Sequence, residues 1–133
     1  NDRLIVNYKG WKICPLICYD LRFPVFSRNT DLAYDLLIYS ASWPASRAHV
    51  WNTLLNARAL ENQSYVLGVN RIGVDGNNIK YKGGSLAIDP KGTVIADLQS
   101  NQTSSTVHLS KNELDGFRKK FPAHLDADKF RLL

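Results

Sequence analysis

The sequence predicts an α/β fold in which helices cover at least one face of a sheet. Continuous apolar runs typical of buried strands alternate along the chain with segments of helical periodicity. The 133 residues are 44% hydrophobic, which excludes a disordered chain. A membrane-spanning helix is excluded because no apolar run of about 18 or more residues occurs. Length and composition therefore predict one domain, 1–133, with no internal boundary.

The first half of the chain contains alternating strand and helix signals. In chain order these predict two hairpin strands, a short helix, a buried strand and a long helix, at 4–8, 11–19, 24–29, 36–39 and 45–62. Lys9-Gly10 is a two-residue hairpin turn, and Pro24 suits the first position of a helix. Ser46 is the candidate N-cap of the long helix, whose apolar residues recur three and four positions apart.

The second half is predicted to be richer in strands. Strands are expected at 64–72, 85–88, 93–98 and 105–109, followed by a helix from its cap at Ser110 through Lys120. The stretch 73–84, rich in glycine and asparagine, is predicted to be a polar loop. The tail 121–133 ends on apolar residues, so we expect it to dock on the core or on a partner subunit.

Charge and cysteine content narrow the function classes. Lys and Arg number 17 against 12 Asp and Glu, a net charge of +5, but the basic residues are spread along the chain. Without a basic stripe, nucleic-acid binding is disfavoured. Cys14 and Cys18 are four residues apart in a stretch that is predicted to be extended, too far for a disulfide. We interpret both as free thiols, which favours a reducing, cytoplasmic location.

Cys18 is the candidate nucleophile. It stands where an apolar strand ends and a charged turn begins. A thiol at a strand end can face a cleft, and the backbone N–H groups of the turn can hold a developing oxyanion. The alternative is a small buried apolar side chain, which is the interpretation we favour for Cys14 because it lies deeper in the strand.

The segment Cys18-Tyr19-Asp20-Leu21-Arg22-Phe23-Pro24 resembles the nucleophile motif of the nitrilase superfamily, the carbon-nitrogen hydrolases, and especially of its omega-amidase branch. Later segments are similar to the family's substrate-pocket segment, helix-to-strand signature, late hairpin and tail, at 39–44, 57–66, 84–92 and 121–128. The motifs keep the family's order, and the resemblance covers essentially the whole chain.

The resemblance implies an αββα sandwich, of which this chain looks like the C-terminal part, and a Glu-Lys-Cys triad that hydrolyses a small carboxylated amide. Cys18 would release ammonia and form a thioester for water to cleave, while the Tyr19 N–H and the lysine hold the oxyanion. In the family the Glu and Lys precede the nucleophile, whereas the glutamates here are Glu61 and Glu113. We therefore expect the chain alone to be inactive. The alternative function is a catalytically incomplete fragment or a non-catalytic assembly module.

Substrate binding is assigned to Arg22, Ser42 and Trp43. In the family, the arginine that matches Arg22 is positioned to contact the substrate's carboxylate, and guanidinium suits that group. A salt bridge to Asp20 or Asp31 is the alternative role of Arg22. Trp43 is expected to wall the pocket, with core packing as its alternative.

Arg58 and Glu61 are expected to support the fold as an ion pair, because residues three apart are neighbours on a helix. The isolated histidines and the Cys14-x3-Cys18 spacing indicate no metal site. The glycines of 73–84 lack a phosphate-loop pattern, so no cofactor is expected. The expected partners are a small amide and, by resemblance, a second copy in a homodimer.

Overall fold

The computed structural model describes residues 3–128, and a mixed sheet lies at its centre. Its strands are β1 (Val6–Tyr8), β2 (Trp11–Ile17), β3 (Leu36–Ala41), β4 (Tyr65–Asn70), β7 (Leu86–Ile88) and β8 (Val94–Asp97), while β5 (Ile72–Val74) and β6 (Lys80–Lys82) form a separate hairpin. The sheet order is β1, β2, β3, β4, β7, β8. β2, β3 and β4 run parallel, and the other neighbours pair antiparallel.

Helices connect these strands and cover parts of both sheet faces. The α-helices are α1 (Pro24–Ser27), α2 (Ala48–Asn62) and α3 (Lys111–Lys120), and 3-10 helices span Cys18–Arg22, Thr30–Leu32, Ala45–Arg47 and Ala123–Leu125. The predicted α/β class is confirmed. Between residues 3 and 128, no helix has the length and apolar character needed to cross a membrane.

One sheet face is covered by α2. Because β3 and β4 are parallel, their connection has to cross over a face of the sheet, and α2 makes this crossover. Trp51 and Leu55 of α2 are almost fully buried in the main hydrophobic core. The helix approaches β4 so closely that a Cβ at Gly68 would lie 2.8 Å from Trp51 and closer still to Leu55. Glycine at this position therefore sets the distance between helix and sheet.

The opposite face is only partly covered. Leu114 of α3 packs against Leu36 and Tyr65, near the amino ends of β3 and β4. Near the carboxyl ends of the parallel strands, Ile17 is 70% exposed and Val69 is 56% exposed. The described residues therefore leave an apolar strip uncovered on this face.

A buried ion pair attaches α3 to the sheet. Arg118 donates from Nη1 to Asp35 Oδ1 at 2.8 Å, and both side chains are buried. Its remaining nitrogens donate to the carbonyls of Tyr34 and Gln63, each at 2.9 Å. Asp35 Oδ2 accepts the backbone N–H of Lys12 at 3.0 Å. The two charges are therefore paired and hydrogen-bonded, as burial demands.

Two sequence predictions are wrong about strands and loops. Residues 105–109 form no strand; Leu109 and Val107 only pack inward. The alternating apolar residues of this segment are explained by partial burial of every second side chain, and within residues 3–128 the segment pairs with no neighbouring strand. The predicted loop 73–84 contains most of the β5–β6 hairpin, because Asp75 supplies side-chain hydrogen bonds to its turn.

The end of the predicted tail, 129–133, lies outside the described residues.

The start of the long helix also differs from its prediction. Ser46 lies in the 3-10 helix Ala45–Arg47, and α2 begins at Ala48 with Arg47 as its N-cap and no side-chain cap bond. The 3-10 turn replaces the cap, since Arg47 N donates to the Pro44 carbonyl at 3.0 Å. The cap predicted at Ser110 is confirmed, because its side chain accepts the N–H of Glu113.

Candidate active site

The carboxyl ends of the three parallel strands meet at one edge of the sheet. Cys18 directly follows β2, Ser42 and Trp43 follow β3, and Arg71 follows β4. This edge is where open α/β sheets bind ligands, because loops there converge above the strand ends. The sheet topology thus gathers residues that are more than 50 positions apart in the chain.

Cys18 occupies an unusual backbone conformation at this edge. It begins the 3-10 helix Cys18–Arg22 with φ of 39°, in the left-handed region that a non-glycine residue rarely adopts. Its thiol is free and half-buried. Strained conformations of this kind persist where surrounding contacts hold them, and they cluster at functional sites.

The turn after Cys18 is held by three hydrogen bonds. The Asp20 carboxylate accepts the N–H of Ile17 at 2.9 Å, and the Asp20 carbonyl accepts the N–H of Phe23 at 3.0 Å. From α2, Arg58 Nη2 donates to the Leu21 carbonyl at 2.6 Å. The Tyr19 N–H lies in the first turn, where backbone N–H groups have no acceptor inside the helix.

Arg58 is buried and also pairs with Glu61, at 2.9 Å between Nη1 and Oε1. The pair expected from the sequence therefore forms within α2. Its second contact, to the carbonyl of Leu21, was not expected from the sequence. Arg58 consequently connects the long helix to the turn that carries Cys18.

A cleft of about 590 Å³ opens beside Cys18. It is lined by Cys18, Tyr19, Arg22, Ser42, Trp43, Pro44, Arg47, Ile79 and Tyr81. Among the residues that the structure describes, the lining has two arginines and no carboxylate, so the cleft favours an anionic group on its ligand. All four of the sequence-predicted residues Tyr19, Arg22, Ser42 and Trp43 line it together with Cys18.

Arg22 and Trp43 are in contact. The Arg22 guanidinium lies 5.2 Å from the Trp43 ring centroid, a cation–π distance. Within the described part of the chain Arg22 forms no salt bridge, with Asp20, Asp31 or any other carboxylate. Trp43 is 3% exposed, and its Nε1 donates to the Arg47 carbonyl at 2.8 Å. Trp43 therefore packs in the core and borders the cleft at once.

Sequence reasoning missed Arg47, Ile79, Tyr81 and Asn70. Asn70, at the end of β4, accepts the N–H of Trp43 at 2.7 Å and donates to the carbonyls of Trp43 and Gly83. A polar amide at the end of an apolar strand was the available signal for Asn70. Nothing in the sequence pattern indicated that Ile79 and Tyr81 would reach the cleft.

A second cavity, of about 480 Å³, lies between β4, β7 and the segment that follows β8. The part of its lining that lies within residues 3–128 contains no cysteine and no charged side chain. It therefore lacks the groups that nucleophilic or acid–base chemistry requires. The cleft beside Cys18 is the better candidate for an active site.

The two cysteines differ in a way that labelling can measure. Cys14 is fully buried, and burial raises the pKa of its thiol, so Cys14 stays protonated at neutral pH. Cys18 is half-buried and lines the cleft. We expect iodoacetamide to modify Cys18 first and to reach Cys14 only when the protein unfolds, as read by mass spectrometry of the two peptides. Equal labelling rates in the folded protein would contradict this assignment.

The fold and the cysteine cleft correspond to a known class of protein. The chain belongs to the carbon-nitrogen hydrolase family, whose match covers residues 3–119. It is 53% identical to omega-amidase YafV of Escherichia coli K12 over 99% of this chain and 52% of that protein. It is 37% identical to 2-oxoglutaramate amidase of Bacillus subtilis over 90% of this chain and 46% of that protein.

A solved structure is similar along the whole chain. It is XC1258 of Xanthomonas campestris, described as a CN-hydrolase superfamily protein with an arsenic adduct in the active site. The two share 45% identity and a TM-score of 0.97, covering 100% of this chain and 53% of that one. The chain thus spans about half the length of the relatives it matches.

Proposed function

We propose that this chain carries the nucleophile and the carboxylate-binding side of an amidase that releases ammonia from a small carboxylated amide. The observation that carries the proposal is the position of Cys18, half-buried in a cleft whose described lining contains two arginines and no acidic side chain. The names of two relatives, omega-amidase and 2-oxoglutaramate amidase, support the same reaction class.

The reaction has two stages. The Cys18 sulfur attacks the amide carbon, and the tetrahedral oxyanion accepts the Tyr19 N–H. Collapse breaks the C–N bond, the nitrogen leaves as ammonia with the thiol's proton, and a thioester remains on Cys18. Water then attacks the thioester carbon, which releases the carboxylic acid and returns the proton to sulfur.

Neither glutamate of the chain lines the cleft. Glu61 is bound to Arg58, and Glu113 lies in the first turn of α3. The general base and the cationic oxyanion partner implied by the family resemblance are therefore not among the cleft residues described here. Inactivity of the 133-residue chain alone stays a prediction, and the comparisons give it no support.

The test is ammonia release from succinamate, an omega-amide with one free carboxylate, followed by intact-mass analysis for an acyl adduct. Because the chain alone is expected to be inactive, the assay mixes it with a separately made segment that supplies the glutamate and lysine implied by the family resemblance. We expect an adduct on the Cys18 peptide, with Cys14→Ala as the matched control that keeps it. The absence of both ammonia and adduct would favour the second candidate, a catalytically incomplete fragment or non-catalytic assembly module. The uncovered apolar strip near Ile17 and Val69 is the observation that favours this candidate.

Arg22 is proposed to bind the substrate carboxylate. Arg22→Lys removes the planar pair of donors, so we expect kcat/KM for acidic amides to fall about 10- to 100-fold, the worth of a hydrogen bond to a charged group. A neutral amide of the same length should lose much less. An equal loss on both amides would reassign Arg22 to supporting Trp43, on which it lies.

Two wider expectations stay predictions. A cytoplasmic location is supported by the two free thiols, Cys14 and Cys18, which persist in reducing compartments. Homodimer formation is supported only by the family resemblance. Sedimentation at several protein concentrations measures it directly.

A further inference from the structure

The β5–β6 hairpin brings two side chains to the cleft that contains Cys18. Ile79, just before β6, and Tyr81, in β6, line this cleft together with the nucleophile. β6 also contacts the 3-10 helix Ala45–Arg47, which follows the end of β3. The hairpin is therefore seated against the same edge of the sheet as the candidate active site.

Asp75 holds the turn of this hairpin. Its Oδ1 accepts the N–H groups of Asn77 and Ile79 at 2.9 and 3.0 Å. Its Oδ2 accepts the hydroxyl of Tyr81 at 2.8 Å. The hydrogen bond from Ile79, followed by that from Tyr81, holds the pKa of the Asp75 carboxyl below its usual value. One ionised carboxylate thus positions both residues that the hairpin presents to the cleft.

Tyr81 contributes its ring rather than its hydroxyl. The hydroxyl donates to Asp75, and this bond raises the pKa of Tyr81, so the side chain stays neutral at physiological pH. The Arg71 guanidinium lies 4.7 Å from the ring centroid, and the side chain is 8% exposed. A ring held in this way acts as an apolar wall.

We propose that the hairpin determines which substrate chain length the cleft accepts, with Ile79 and Tyr81 bounding the aliphatic chain. The inference rests on the proposed function, in which the substrate's amide reaches Cys18 and its carboxylate reaches Arg22. The methylenes between those two groups have to lie against the apolar part of the cleft lining. Ile79 is the adjustable element because it is 40% exposed, whereas Tyr81 is buried and bound to Asp75.

The test uses protection of Cys18 against iodoacetamide by succinate, glutarate and adipate, diacids that differ by single methylenes. Ile79→Ala enlarges the cleft, so we expect the ratio of adipate to succinate affinity to rise about 10-fold. Ile79→Trp should lower that ratio by a similar factor. Val74→Ala is the matched control, because Val74 lies on the same hairpin, is 55% exposed and does not line the cleft.

Asp75 variants test how the hairpin is positioned. Asp75→Ala removes the acceptor of all three bonds, so we expect it to reduce discrimination among the diacids while the unprotected alkylation rate of Cys18 stays unchanged. Asp75→Asn keeps one acceptor oxygen and should retain more of the discrimination. A fall in the unprotected alkylation rate together with the discrimination would instead show general loss of structure and overturn the positioning role.

The remaining outcomes separate the two proposals. If the diacids protect wild-type Cys18 but their ratio is unchanged in both Ile79 variants, the hairpin inference is overturned and the proposed function stands. If none of the three diacids protects wild-type Cys18, carboxylate binding beside the nucleophile is itself wrong, and both proposals are overturned.

Discussion

Cys18→Ala, assayed together with the segment that supplies the glutamate and lysine, is expected to lower ammonia release from an omega-amide by about 10⁴-fold or more, because Cys18 is the one thiol in the described lining of the cleft. The hydroxyl groups that line the cleft belong to Ser42, Tyr19 and Tyr81, and they are weaker nucleophiles than a thiol at neutral pH. The acyl adduct should vanish from the Cys18 peptide in the same samples. Ammonia release and intact mass are the two measurements.

The matched control for this prediction is Cys14→Ala. That change removes a thiol from the core, four residues before Cys18 in the chain. It should leave the adduct on Cys18 in place. Appreciable turnover by Cys18→Ala would mean that the thioester mechanism is wrong. Loss of turnover in both variants would indicate that the substitutions destabilise the fold. Circular dichroism distinguishes this outcome from loss of the nucleophile.

Arg118→Ala is expected to destabilise the protein by about 3 to 5 kcal/mol, the usual cost of removing one partner of a buried ion pair. Within residues 3–128, the change leaves Lys111 as the one cation paired with the buried Asp35 carboxylate, and its Nζ is 3.6 Å away and partly exposed. It also leaves the carbonyls of Tyr34 and Gln63 without the donors they have now. The measurement is the free energy of unfolding from urea titration.

Lys119→Ala is the control for this second prediction. Lys119 is the exposed neighbour of Arg118 on α3, so its loss should change the free energy of unfolding by no more than about 0.5 kcal/mol. A cost below about 1 kcal/mol for Arg118→Ala would show that the Arg118–Asp35 pair contributes little to holding α3 on the sheet, and that other contacts such as the packing of Leu114 hold it.

The spacing of apolar residues was sufficient to predict those strands and helices in which buried side chains recur at regular intervals. The apolar runs that become β3 and β4, and the three-and-four spacing in α2, are visible in the sequence because burial selects side chains at the period of each element. The position of Cys18 at a strand end could be predicted for the same reason. Element bounds were less predictable, as at Ser46, because a 3-10 turn satisfies the same backbone groups as a cap.

Only the tertiary structure decided how distant residues meet. Arg118 and Asp35 are 83 positions apart, and their pairing depends on α3 docking across the sheet. The contact of Arg22 with Trp43, and the position of Ile79 and Tyr81 beside Cys18, likewise depend on segments that are far apart in the chain. The sequence by itself determined the α/β class and predicted Cys18 as the nucleophile, since both inferences follow from short stretches of chain. The walls of the cleft were decided by packing, because a contact between remote segments forms only when the whole sheet places them side by side.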